Sequence, residues 1–372
     1  MVNKKRLIFL TQSLIRINSE NPAGNEAKIA RFVKDYLSGF GLRSQIYEFA
    51  PKRSNIVAIL PKRGSSRTLL ITPHLDTVLA GKGWRFSPFS GIIHNGRIYG
   101  LGATDCKGNL ACAIEAINSI IEDKMRLNYS LVFAATADEE TGSRFGLIPL
   151  LDKGILRPDC ALVLDADDFD IIVAQKGLIH LKVKLQGKRA HGAYPWRGKN
   201  AISLAVDILK DIKKFPFRYS RHRLLRPPTV NIGTIQGGDK VNIVADWCEF
   251  ELDFRFLPGM SAEQILKELK KIILRHTQRF KIEIEGIQKD YEISLRHPLV
   301  EAVLKAMRDC KIKPKLKGSE GATSITFFQD KNIPAVATGF GCGGCAHSVD
   351  EYAKVDNLYK GCKFLVEFLK NY

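Results

Sequence analysis

Two patterns of apolar and polar positions divide the chain. Through the first half, short apolar runs read as buried strands: SNIVAIL, RTLLITP, SLVFAA and CALVLDA. Other stretches carry apolar residues three and four positions apart, the period of a helix face. EAKIARFVKDYLSGFG is one, entered after PAG and ended at Gly41; NLACAIEAINSIIED, just before SLVFAA, is another, rich in alanine and isoleucine. Alternation of the two predicts an α/β fold: a mostly parallel sheet with helices on both faces.

From Gly177 the pattern changes. GLIHLKVKLQG alternates like a half-buried strand, KNAISLAVDILKDI is helical, and TVNIGTIQGG and ADWCEFELDFRFLPG are two strands about a Gly-Gly turn. SAEQILKELKKIILRHT is helical again, with Ser261 placed to cap it, and KIEIEGI closes the segment as a strand. That order is β-α-β-β-α-β. After Tyr291 the α/β pattern returns, with HPLVEAVLKAMRDC and DNLYKGCKFLVEFLK as helices. The expectation is one domain, 1–176 and 291–372, interrupted by another, 177–290.

Composition narrows the class. A chain of 372 residues is long for a single core, and 45% apolar with 26% charged residues describes an ordinary globular protein. No window approaches the run of about eighteen apolar residues that a membrane helix needs. The start, MVNKKRLIFLTQSLIRIN, imitates a signal peptide. Thr11, Gln12, Ser13 and Arg16 break its apolar run and no small-residue cleavage site follows, so an amphipathic helix and a cytoplasmic protein are expected. Eight cysteines show no framework spacing and are expected as thiols. Cys342, Cys345 and His347 offer half of a zinc knuckle, but no second CxxC or HxxxH completes it. The net charge of +18 concentrates in FRYSRHRLLR and KIKPKLKG; neither forms a groove-reading motif, which favours a solvated basic surface over nucleic-acid binding.

Chemistry gathers where the predicted strands end, the place ligands bind in open parallel sheets. His74 and Asp76 follow RTLLITP, Asp105 follows RIYGLGAT, Glu139 and Glu140 follow SLVFAATAD, and Asp165 follows CALVL; His347 lies downstream in GFGCGGCAHSVDE. Any one of them alone is an ordinary turn, cap or strand-end residue. Together, two imidazoles and three carboxylates suit a pair of cations such as zinc, one carboxylate bridging. Asp76, two residues beyond His74, is placed to accept the other ring N–H and fix its tautomer. Asp138, beside the two glutamates, reads as a solvated neighbour.

PHLDTV, GATDCKG, TADEETGS, VLDAD and AHSVDE, in this order, resemble the zinc metallopeptidase family of acetylornithine deacetylase, succinyl-diaminopimelate desuccinylase, aminoacylase and glutamate carboxypeptidase. The resemblance covers nearly the whole chain. It implies two Zn2+ per chain, Co2+ or Mn2+ being chemically possible. It implies that His74, Asp105 and Asp165 hold one ion, that Asp105, Glu140 and His347 hold the other, and that the Asp105–Cys106 peptide is cis. Glu139 becomes the general base for a water activated by the two ions. The insert becomes a lid and dimerisation domain whose His191, in GKRAHGAYPWRGKNAI, stabilises the oxyanion from a partner subunit. Asn242 and Arg255 match substrate-binding positions, Arg255 suiting a carboxylate unless Asp253 or Glu251 takes it.

One segment departs from the pattern. Where the family carries an acid and often an arginine, this chain has GATSITFF, with Ser324 or Ile325 in place of the acid and Thr326 or Phe327 in place of the arginine. That touches the substrate, not the ligands or the base. The implied activity is hydrolysis of an amide bond in an N-acyl amino acid or a short peptide with a free carboxylate. A di-zinc aminopeptidase is the alternative, to be separated by the insert, which a stand-alone aminopeptidase is expected to lack. An inactive basic nucleic-acid-binding or scaffold protein is the other, disfavoured by an intact Glu139 and all five ligands.

Overall fold

The computed structural model describes residues 1–321 and 323–372. They form two compact units: Met1–Val173 with Ile293–Lys317 and Thr323–Tyr372, and Ala174–Glu292 with the short segment that begins at Gly318.

The first unit opens with helix α1 (Lys4–Ile15) and helix α2 (Glu26–Gly39), followed by β1 (Ser44–Glu48), β2 (Ser54–Leu60) and β3 (Thr68–Thr72). Helix α3 (Lys107–Glu122) precedes β4 (Ser130–Ala135), β5 (Cys160–Val163) and β6 (Asp170–Gln175). The insert contributes β7 (Gly177–Gln186), β8 (Ala190–His191), helix α4 (Ala201–Ile212), β9 (Thr229–Gly237), β10 (Ile243–Val244), β11 (Trp247–Phe256), helix α5 (Ala262–Leu274) and β12 (Phe280–Gln288). Back in the first unit come helix α6 (Pro298–Asp309), β13 (Ala335–Ala337) and helix α7 (Val355–Asn371).

The main sheet runs β1-β2-β4-β3-β5-β13-β6. Its centre is parallel, β4 with β3, β3 with β5 and β5 with β13, while both flanks are antiparallel. Parallel strands must be covered on both faces, which explains their continuous burial: Leu69, Leu70 and Ile71 of β3 and Ala161 and Leu162 of β5 are fully enclosed. Helix α3 is buried along almost its whole length, and Ala111, Ala113 and Ala116 let it sit close to α1 and α7. The N-terminal basic stretch is accounted for here, since Arg6 on α1 reaches Glu115 and Glu122 of α3.

RIYGLGAT departs from expectation. Arg97–Tyr99 belongs to a small separate antiparallel sheet with Ile92–His94 and Tyr352–Lys354, so Asp105 sits in the turn that leads into α3 and not at a tip of the main sheet.

In the second unit the four long strands form an antiparallel sheet ordered β9-β11-β7-β12. Alternation in β7 buries Ile179, Leu181, Val183 and Leu185 on one face, where they meet Phe250, Leu252 and Phe254 of β11 and the apolar stripes of α4 and α5. Asn200 caps α4 through the Ile202 and Ser203 N–H groups, and Ser261 caps α5 through Gln264 N–H, each cap worth about 1 kcal/mol.

Candidate metal centre

In the first unit, the C-terminal ends of the parallel strands converge on one cluster. His74 lies two residues past β3, Glu139 and Glu140 follow β4, Asp165 follows β5, and His347 stands at the end of the glycine-rich loop after β13. That loop needs its glycines where backbones meet: a Cβ on Gly339 would lie 1.7 Å from the Ala166 carbonyl oxygen.

Asp105 is the centre of the arrangement. Its Oδ1 lies 2.8 Å from His74 Nε2, and its Oδ2 lies 3.2 Å from His347 Nε2. His347 Nε2 also lies 3.1 Å from Glu140 Oε2, and His74 Nε2 lies 3.8 Å from Asp165 Oδ1. Potential ligand atoms of Asp105, Glu140 and His347 all lie within 4.8 Å of one another, as do those of His74, Glu139 and Asp165. The Asp105–Cys106 peptide is cis.

Electrostatics test whether cations fit. Among the described residues no lysine or arginine pairs with Asp105, Glu139, Glu140 or Asp165. Burial, then the Asp105 charge, pushes Asp165 up to about 7, and burial, then Asp165, holds Glu139 well above the carboxylate range. Hydrogen bonds that His347 donates to the Asp105 and Glu140 carboxylates raise it to about 10. Asp105 itself stays well below the usual range: burial pushes it up, but His347 and His74 outweigh that. Such crowding of acids around two imidazoles is what a pair of divalent ions would relieve, so the residues fit the group. Cys106, close to His74, is a poor ligand because burial lifts its thiol to about 12; it bonds the His74 backbone instead. No such cluster among the described residues includes Cys342 or Cys345, so the half knuckle finds no complement.

Asp76 does more than orient a ring. His74 Nδ1 bonds the Asp76 backbone carbonyl at 3.0 Å, with the carboxylate further off at 3.6 Å. That carboxylate accepts the N–H groups of Glu139 at 3.0 Å and Glu140 at 3.1 Å. Asp138 is no solvated neighbour: it is buried, has a left-handed backbone (φ 65°), and pairs with Arg53 at 2.7 Å. Reasoning from sequence also missed Glu351, whose carboxylate accepts N–H groups from Gly102, Thr104 and Asp105 at 2.8–3.0 Å. Its only signal was its place at the end of AHSVDE.

Three site residues lie in the second unit. β8 pairs with β10, placing His191 opposite Ile243, and Gly192 N–H donates to the Asn242 carbonyl at 2.7 Å, so His191 and Asn242 are neighbours. His191, an exposed residue, accepts the Ala193 N–H on Nδ1 at 3.0 Å; a neutral ring then carries its proton on Nε2. Arg255 stands elsewhere, on β11, where Asp253 takes its Nε at 2.7 Å and Nη2 at 2.9 Å. In the departing segment, Ala322 lies outside the described residues. Ser324, Ile325 and Thr326 are buried in the first unit and Phe327 is half-buried, so the first three pack inward and Phe327 does so in part.

Residues 70–371 match the family described as peptidase family M20/M25/M40. The chain belongs to that family. Solved structures agree on the fold. Aminopeptidase PepT from Bacillus cereus is similar with a TM-score of 0.84 at 23% identity, over 100% of this chain and 99% of that one. A metallo-carboxypeptidase of the M20 family from Sulfolobus solfataricus gives 0.82 at 21%, over 98% of each chain. A dinuclear metal-binding M20 peptidase from Bacillus subtilis gives 0.77 at 14%, over 99% and 97%. PepT aligns along nearly its whole length, insert included, so the insert does not separate this chain from an aminopeptidase as expected. No helix among the described residues is long and apolar enough to cross a membrane.

Proposed function

We propose that this M20-family chain is a hydrolase with two zinc ions, cleaving the amide bond of an N-acyl amino acid or a short peptide with a free carboxylate. The observation that carries the reading is Asp105, whose two carboxylate oxygens face two different imidazoles, the disposition expected of a bridging ligand. In this reading His74, Asp105 and Asp165 hold one ion and Asp105, Glu140 and His347 the other. When bound, the ions supply Lewis-acid polarisation of the scissile carbonyl and lower the pKa of water.

The chain's own residues do the rest. Glu139, half-buried and set apart from any cationic side chain but the imidazoles, takes a proton from the attacking water and returns it to the leaving amine. Asp76 holds the peptide N–H groups of Glu139 and Glu140, so that one carboxylate serves as base while its neighbour serves as ligand. His191, with its proton on Nε2, donates to the oxyanion, reaching it from the partner of a homodimer. Dimerisation through the insert is supported by exposed apolar side chains there: Ile202 and Val206 on α4, Ile235 on β9, and Trp247. Asn242 and Arg255 contact the substrate, Arg255 exchanging Asp253 for the substrate carboxylate. The basic segments support attraction of anionic substrates, and the eight free thiols support a cytoplasmic setting.

Cleavage from the amino end is the second reading, favoured by the full-length similarity to PepT. Metal content by mass spectrometry, on protein purified without chelator, tests the chemistry. N-acetyl and N-succinyl amino acids, dipeptides and tripeptides, each with a free or blocked amino terminus, separate the substrate classes. About two metals per chain and one class hydrolysed is the expected result; no stoichiometric metal after zinc is added back would overturn it.

A further inference from the structure

We propose that Arg53 is a positioning residue for Glu139 and Glu140, acting through a closed ring of hydrogen bonds whose side-chain links are buried; the inference rests on the site reading above. Arg53 stands just before β2, and is itself buried. Its Nη1 donates to the Asn21 side-chain oxygen and, at 2.6 Å, to Glu26 Oε1; its Nη2 donates to Asp138 Oδ1 at 2.7 Å. Asn21 Nδ2 in turn donates to Asp76 Oδ2, and Asp76 accepts the Glu139 and Glu140 N–H groups. Asp138, the residue before Glu139, leads back to Arg53. The ring is therefore Arg53, Asn21, Asp76, the Glu139–Glu140 backbone, Asp138, and Arg53 again.

Three features make this a device for geometry and not only for packing. Asn21, Glu26, Asp76 and Asp138 are each at most 3% exposed, so the side-chain links lie out of water, while the two bonds to the Glu139 and Glu140 N–H groups are partly buried. A buried ion pair is weak evidence for stability, because desolvation offsets much of the attraction. The guanidinium also requires a bare backbone beside it, since a Cβ on Gly24 would fall 2.4 Å from Nη1. A planar fork that reaches three acceptors at once fixes orientation in a way a point charge does not. Asp138 further accepts the Phe145 N–H at 3.0 Å and a bond from Thr141, closing the loop on its far side.

The test uses the full chain and cobalt(II) alone as probe, with substrate turnover measured separately. Partners of metal-holding groups typically cost 10–100-fold in metal affinity or activity when removed. Arg53→Met, shown to be folded by circular dichroism, is expected to weaken cobalt affinity in a chelator competition 10–100-fold, to change the cobalt visible spectrum, and to lower kcat by a similar factor with little change in KM. Arg53→Lys should stay impaired, whereas rescue by lysine would reduce the role to charge and overturn the proposal. Asn21→Ala leaves Arg53 paired with Glu26 and Asp138 and should move the same readouts less; combined with Arg53→Met it should add little. Should Arg53→Met fail to fold, Asn21→Ala decides. Wild-type cobalt binding and kcat in folded Asn21→Ala, even with a lower melting temperature, would overturn the ring while leaving the site reading intact. A parent protein that binds no cobalt would overturn both.

Discussion

Replacing Glu139 by glutamine separates catalysis from structure more cleanly than any other change at the site. Asp76 holds the Glu139 backbone N–H, not its side chain, so the loop geometry does not depend on the charge being removed. Glutamine keeps the volume and loses the ability to take a proton. A general base contributes about 10²–10⁴ in rate, or about 2.7–5.4 kcal/mol at 1.36 kcal/mol per tenfold. We expect kcat to fall by that factor, with metal content unchanged and KM within a few fold. Stability should move the other way. In the metal-free protein, burial and then Asp165 raise the Glu139 pKa, so the folded state holds a proton that the unfolded state has released. Folded protein then loses stability as pH rises above the unfolded carboxylate value, and Glu139→Gln removes that loss. Chelator-treated Glu139→Gln should melt above the parent at pH 8, the gap narrowing toward pH 4.5. Steady-state kinetics, elemental analysis and thermal melts at both pH values make the test. A kcat within threefold of the parent at equal metal content would refute the assignment of the base.

Other outcomes follow from the same geometry. Asp105→Ala should lose both metals, read as elemental content near zero after desalting, and lower the melting temperature of the zinc-loaded protein, because ligand linkage to the folded state disappears. His191→Ala should lower kcat by about 10²–10³ with full metal content, and unchanged kcat would reduce it to a loop residue. Val206→Arg on α4 should convert a dimer to monomer in light scattering and bring the same loss of kcat. Glu26, raised from 4.5 to about 7 by burial and then by the Asp76 charge, makes stability fall as pH rises through that window; Glu26→Gln should flatten the slope in urea titrations between pH 5 and pH 7.5. In the core, Phe133→Ala on β4 should cost about 3–5 kcal/mol by the same titrations, since that ring is 1% exposed.

Elements with a strong local period were legible along the chain. β7 and β11 alternate, α4 and α5 carry apolar stripes behind a capping Asn200 and Ser261, and the central strands are continuous apolar runs; period 2 and period 3.6 are written in neighbouring residues. RIYGLGAT misled because three apolar-leaning residues fit a main-sheet strand as well as a small hairpin. What decides between them is pairing with Tyr352–Lys354, some 250 positions away, which no local pattern encodes.

The same division runs through the site. His74, Glu139, Glu140, Asp165 and His347 were legible because each sits where a strand or its loop ends, and a parallel sheet brings such ends together. The partners that hold them were not. Arg53 meets Asp138 across 85 positions and Glu351 meets Asp105 across 246, and an arginine before a strand or an acid in a loop is ordinary until its contacts are known. Arg255 shows the opposite case: its neighbour Asp253, two residues away on the same strand face, was legible as an alternative partner, and the structure pairs them. A substrate must therefore offer Arg255 more than Asp253 does. Charge alone cannot decide that exchange; a substrate held by further contacts can. Asp253→Asn should accordingly lower KM for carboxylate-bearing substrates if Arg255 receives them, and leave KM unchanged if the pair is only a strut within the sheet.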